Sequence, residues 1–121
     1  YVYLEAGTNI ADRPLSVIEE RVGALIDRMC DADPSRPVFV VTPIRAFNDV
    51  SSTAEDYLAN FARSRKVIEE CAARHKNAVL IDGHKLLDKD YYLSSDILHP
   101  SSFGHVGMGI NLAEMLKKYI H

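Results

Sequence analysis

A chain of 121 residues is the size of one small domain or of a piece of a larger one, and its 47% hydrophobic and 26% charged residues are those of an ordinary globular protein. A net charge of −3, with acids and bases interspersed and five scattered histidines, gives no electrostatic footprint for nucleic acid. No apolar run is long enough to span a bilayer, and no signal-peptide pattern is present, so the compartment stays unassigned.

The first element is a short apolar strand, Val2 to Ala6, ended by Gly7-Thr8-Asn9. Tyr1 to Leu4 already reads as strand body with no polar lead-in, so further strands are expected on the N-terminal side. Pro14 suits the first turn of a helix, having no N–H to waste. Ile18, Val22, Leu25, Ile26 and Met29 then fall at helical spacing and predict one buried face. Asp33-Pro34-Ser35-Arg36-Pro37 is a stop and a turn. Val38 to Val41 is continuous and largely β-branched, the signature of a strand covered on both faces.

Thr42-Pro43 ends that strand, and Ile44 to Ser52 read as a longer loop. Thr53 with Asp56 resembles a helix capping box, with Asp in place of Glu. Tyr57, Phe61, Ile68, Cys71 and Ala72 supply the stripe of the next helix. Ala78 to Ile81 is a third strand, closed by Asp82-Gly83, and Lys85 to Leu98 is irregular or holds a short helical turn. The last helix starts near Ser102 to Gly104, with Val106, Ile110, Ala113, Leu116 and Ile120 predicted on its packed side. Cys30 and Cys71 fall on or beside apolar helix faces, where free cysteine behaves as a small hydrophobe. Their spacing cannot establish the geometry a bridge requires.

The order β-α-β-α-β-loop-α argues a parallel sheet with right-handed crossovers in an α/β layer fold. No repeat, linker or domain boundary interrupts it. Three strands are few, and an open sheet edge would invite self-association. In open parallel sheets ligands bind beyond the carboxyl ends of the strands. Here that rim collects Gly7 to Arg13, Pro43 to Ser52 and Gly83 to Pro100, where the polar, non-periodic residues gather.

Asp96-Ile97-Leu98-His99-Pro100 is the most informative stretch of the rim. An Asp and a His three apart in a turn can pair, the carboxylate holding one imidazole nitrogen and leaving the other as a base for a hydroxyl. Pro100 disfavours helical geometry at His99 and keeps it in the loop. The same spacing also serves an ordinary helix-entry turn. Gly7-Thr8-Asn9 could aim an amide N–H at a developing oxyanion, or could simply end a strand. Arg45, Phe47 and Asn48 are candidates for lining a substrate pocket, and Tyr91 and Tyr92 either cover the site or pack. His84 reads as a solvated loop residue and His105 as structural. The glycines of Gly104 to Gly109 do not come directly after a strand and read as helix-packing residues, not a phosphate cradle. His84, His99 and His105 lack metal-ligand spacing.

Taken together, Asn9 after Gly7 at a strand end and Asp96-x-x-His99-Pro100 before a C-terminal helix resemble blocks III and V of the SGNH (GDSL-type) hydrolases. The segment Ser102 to His105 also looks like the stretch just after the catalytic His in that family. The resemblance covers essentially all of residues 1–121, but only the C-terminal part of such an enzyme. It implies a flavodoxin-like three-layer α/β/α fold whose N-terminal strands are missing from this sequence. It also implies a serine esterase, lipase or acylhydrolase acting on a small-molecule ester or acyl substrate without metal or organic cofactor. His99 would be the general base, Asp96 its orienting carboxylate, and Asn9 an oxyanion donor presented by the Gly7 turn. The family's Gly-Asp-Ser block is matched nowhere, so the nucleophile is expected upstream. Ile10 also stands where an Asp often comes after the block III Asn. The competing expectation is a catalytically inert fragment or interaction module of the same fold. A small flavodoxin-like binding domain ranks last, since it should show about five strands.

Overall fold

Residues 1–10, 13–50 and 55–120 are described by the computed structural model, without the side chains of Asn48, Val50 and residues 55–60. The proposed Thr53 cap and the Tyr57 side chain therefore lie outside the described residues. The strands are β1 (Val2–Glu5), β2 (Val38–Val41) and β3 (Ala78–Ile81). Helices α1 (Leu15–Ile18) and α2 (Ala24–Asp31) are joined by a π-helical turn, Glu19–Gly23. The remaining helices are α3 (Phe47–Val50), α4 (Glu55–Ala72), α5 (Gly83–Leu86) and α6 (Ser102–Leu116).

The three strands run parallel in the order β1-β2-β3, with Tyr3 opposite Phe39 and Phe39 opposite Val79. Side chains alternate between faces along each strand. Val38 and Val40 pack with Ile18, Val22, Ile26, Cys30, Ile68, Cys71 and Ala72 under the α1–α2 helix and α4. Phe39, Val41 and Ile81 pack with Leu86 and Leu87 on the other face, against Met108, Leu112, Met115 and Tyr119. β2 is buried throughout, as its continuous apolar run predicted, whereas β1 alternates between half-buried and exposed residues. Both cysteines are buried free thiols, pushed up from the ordinary thiol pKa chiefly by burial.

Three expectations need correction. Ile18, Val22, Ile26 and Cys30 are buried at every fourth position, but Leu25 is 37% exposed. The π turn lengthens the repeat, so the inward face is narrower than the spacing suggested. The Ile44–Ser52 loop contains the short helix α3. In α6 the predicted face is displaced: Val106, Ile110 and Ile120 are 59%, 61% and 48% exposed. Of the expected residues Leu116 does pack toward the sheet, beside Met108, Leu112 and Met115, while Gly104 and Gly107 turn against Tyr92. A Cβ at Gly104 would stand 2.1 Å from the Tyr92 carbonyl oxygen, and one at Gly107 would meet its ring at 2.6 Å. This close approach, invisible in a hydropathy stripe, decides how α6 is rotated. Gly109 meets nothing within 4 Å and has no such role.

Candidate active site

The carboxyl ends of the strands carry the candidate residues, beginning with the 93–100 loop. An isolated antiparallel bridge between Leu93 and Pro100 closes this loop, and Ser94 N–H donates to the His99 carbonyl at 2.8 Å. Asp96 is its hub. Oδ1 accepts from Ser94 Oγ (2.6 Å), Leu98 N–H (2.9 Å) and His99 N–H (2.9 Å), while Oδ2 lies 2.8 Å from His99 Nδ1. Donors on both oxygens favour the ionised form. Ser94 first, then the His99 and Leu98 contacts, hold the Asp96 carboxyl well below the usual carboxylate range. An ionised carboxylate only accepts, so His99 Nδ1 is the donor of that bond and Nε2 of the neutral ring is left as an acceptor. The His99 side chain is two-thirds exposed (67%), and Nε2 has no partner among the described residues. The two residues singled out by their spacing are thus in direct contact, in an orientation that leaves a basic nitrogen at the surface.

The loop tip is held from outside. Phe47 N–H donates to the Ile97 carbonyl at 2.5 Å, and Leu98 packs on buried Ala46 and Phe61. Ile97 itself adopts φ +54°, a left-handed conformation that is an outlier for a β-branched residue. At the other end of the rim, Gly7 (φ +117°) turns β1 into a 3₁₀ turn, Thr8–Ile10. Only glycine fits there, since a Cβ would lie 2.7 Å from Ile68 Cδ1 and 2.8 Å from Pro43 Cγ. Asn9 is exposed, its amide makes no hydrogen bond among the described residues, and it borders a groove of about 240 Å³ formed by residues 5–10. Asn9 and the Asp96–His99 pair share the rim without touching.

The other candidates fall differently. Arg45 pairs with the exposed Asp90 at 2.8 Å, a surface contact between the two rim segments. Phe47 is 40% exposed, and its backbone supports the 93–100 loop; the Asn48 side chain lies outside the described residues. Tyr91 is exposed, and Tyr92 packs against α6. His105 Nδ1 lies 2.9 Å from the Ser101 carbonyl oxygen, a structural contact at the start of α6.

His84 is not a merely solvated loop residue. Its Nε2 stands 3.2 Å from Asp49 Oδ1, within ion-pair distance though off the line of a hydrogen bond. Asp49 also takes both arms of Arg65, at 3.0 and 2.9 Å, and the Ala46 N–H at 2.9 Å. Burial alone would push the Asp49 carboxyl up, but His84, Arg65 and the Ala46 N–H together outweigh it and hold it well below its usual range. Ser94 and the Asp49–Arg65 pair are functional candidates that spacing and motif did not single out. Ser94 had a local signal, a hydroxyl two residues before the key Asp, of the kind that forms side-chain-capped turns. Asp49 and Arg65, 16 positions apart on two different helices, had none.

Comparison with known proteins bears on the fold. No family model matches the chain, and no curated relative does. A solved structure from Streptococcus pneumonia, provisionally named a platelet activating factor, superposes with a TM-score of 0.70 at 16% identity. The match covers 98% of this chain and 58% of that one, so this chain spans less than two-thirds of its structural neighbour. At this identity the likeness concerns architecture alone. Together with the parallel sheet and its two helical layers, it makes the chain a flavodoxin-like α/β fold.

Proposed function

We propose that this chain is the C-terminal part of an SGNH-type serine ester hydrolase, in which His99 is the general base and Asp96 its orienting carboxylate. The observation that carries this reading is the clasp of Asp96 on His99 Nδ1, with no partner on the opposite nitrogen among the described residues. A carboxylate tied by three further hydrogen bonds is preorganised for that task. The structural neighbour, named for platelet activating factor, shares the fold on which this pair is carried.

In this reading a serine on chain outside residues 1–121 attacks the ester carbonyl, and His99 Nε2 takes its proton. The resulting imidazolium, stabilised by Asp96, returns the proton to the leaving alkoxide as the acyl–oxygen bond breaks. Water then attacks the acyl-enzyme as His99 takes its proton, and the imidazolium returns that proton to the serine oxygen as the acyl–serine bond breaks and the acid leaves. Asn9, presented by the Gly7 turn, donates its amide N–H to the carbonyl oxygen as it becomes negative, a contribution of about 10²–10³ in rate for such a donor. The test is hydrolysis of p-nitrophenyl acetate by the full-length protein, which is expected to collapse in His99→Ala, while the 121-residue chain alone shows almost none. Unchanged turnover in that variant would remove the assignment, and strong serine-probe labelling of the isolated chain would show that the nucleophile lies within it.

A further inference from the structure

Asp49, Arg65 and His84 lie away from the Asp96–His99 contact, yet the structure connects them to it. Arg65 makes four hydrogen bonds to three residues: its two arms take Asp49, Nε donates to the Pro43 carbonyl at 3.1 Å, and Nη2 to the Ile44 carbonyl at 3.3 Å. One guanidinium therefore spans the whole segment between β2 and α3. That segment needs an external fix, because α3 has only four residues and cannot sustain itself. Asp49 ties α3 to its own start, accepting the Ala46 N–H through Oδ2 and donating its N–H to the Ala46 carbonyl at 2.8 Å. The first residue of the helix so fixed is Phe47, whose N–H holds the Ile97 carbonyl. Ile97 is the left-handed residue inside the Asp96–His99 turn. Such a conformation persists only where the surroundings over-determine it, and the Phe47 bond with the Leu98 packing on Ala46 and Phe61 is what surrounds it here.

We propose that Asp49, Arg65 and His84 form a positioning cluster that sets the Asp96–His99 geometry through the Phe47–Ile97 hydrogen bond. The proposal rests on the reading of Asp96 and His99 as an acid–base pair and adds the device that aligns it. Asp49 and Arg65 are each only 12% exposed, so they act through the loop and not on a substrate. A lysine at position 65 would keep the charge but lose the fork that takes Asp49 and two carbonyls together. A proline at position 47, the first residue of α3 where proline is tolerated, would remove the N–H that holds the Ile97 carbonyl together with the 40% exposed Phe47 ring, and Phe47→Ala, which keeps the N–H, measures the loss of the ring alone. Asn77→Ala is the control. It removes three bonds, from Asn77 Nδ2 to the Cys30, Asp33 and Arg36 carbonyls, at the opposite rim.

The experiment is ¹⁵N-histidine NMR of the full-length protein, read beside thermal melting and the kcat and KM for p-nitrophenyl acetate. In the wild type, neutral His99 should carry its proton on Nδ1. Arg65→Lys and Phe47→Pro should shift it toward Nε2 well below the melting temperature and lower kcat about tenfold with KM little changed. Asn77→Ala should lower the melting temperature and leave the His99 signal in place. If Arg65→Lys and Phe47→Pro also only lower the melting temperature, the cluster is an ordinary structural anchor and the proposal falls. A His99 signal that responds in a protein with no ester turnover would support the positioning and defeat the hydrolase reading instead. Turnover that depends on His99, with a signal indifferent to both variants, would do the reverse.

Discussion

Gly7→Ala isolates one position where backbone and packing forbid a side chain together. At φ +117° an alanine is strained, which costs about 1–3 kcal/mol. Its Cβ would also stand 2.7 Å from Ile68 Cδ1 and 2.8 Å from Pro43 Cγ. Ile68 is fully buried and the Pro43 ring cannot rotate away, so relief requires the Ile44 segment or α4 to shift, costing a further ~1–3 kcal/mol. A loss of about 2–6 kcal/mol is a large part of the total stability of a domain this size and lowers the melting temperature by roughly 8–24 °C. Calorimetry of Gly7→Ala beside Gly109→Ala provides the comparison. Gly109 has nothing within 4 Å of its added Cβ and sits in the exposed part of α6, so that variant should be stabilised by about 0.5–1 kcal/mol. A Gly7→Ala protein melting within about 2 °C of the parent would refute the strain-and-overlap reasoning.

Acid should expose the Asp49 cluster. The folded carboxyl is held below its unfolded value of about 3.9, so it contributes stability above that pH and loses it as the pH falls toward the lower folded value. Denaturant titrations between pH 6 and pH 2 should therefore show a steep loss below about pH 4, and Asp49→Asn should flatten that limb. At pH 7 the same variant leaves the Arg65 cation without its carboxylate and should cost about 3–5 kcal/mol; a cost under about 1 kcal/mol would mean that water replaces Asp49 freely. Cys30 and Cys71, 1% exposed and raised in pKa by burial, should react with a thiol reagent at the rate of unfolding. Immediate labelling of the folded protein would contradict their place in the core.

The layers of the fold could be read from periodicity because burial tracks it in β2, α4 and the first part of the α1–α2 helix. Val38 to Val41 and the stripe Phe61, Ile68, Cys71 and Ala72 are buried where hydropathy puts them. Periodicity failed where something non-local sets the rotation. Leu25 lies just beyond a π turn, a hydrogen-bonding choice that leaves no mark in composition. Val106 and Ile110 form a plausible apolar face, but the backbone approach of Gly104 and Gly107 to Tyr92 turns α6 another way. The site divides on the same line. Asp96 and His99 are three residues apart, so a single turn can bring them together, as it does Ser94, whatever holds that turn from outside. The Arg65 clamp joins parts of the chain separated by α3 and the start of α4, and no spacing rule reaches across them.

The central claim is that Asp96 holds His99 as the base of an ester hydrolase, and Asp96→Asn in the full-length protein tests it with the least change in shape. An amide in that place can keep the Leu98 and His99 N–H bonds of Oδ1, yet it no longer offers His99 a carboxylate. Steady-state kinetics on p-nitrophenyl acetate should show kcat reduced by about 10⁴-fold with the melting temperature and KM little changed. A kcat within a few-fold of the parent would contradict the account, because the carboxylate would then have no part in setting the base.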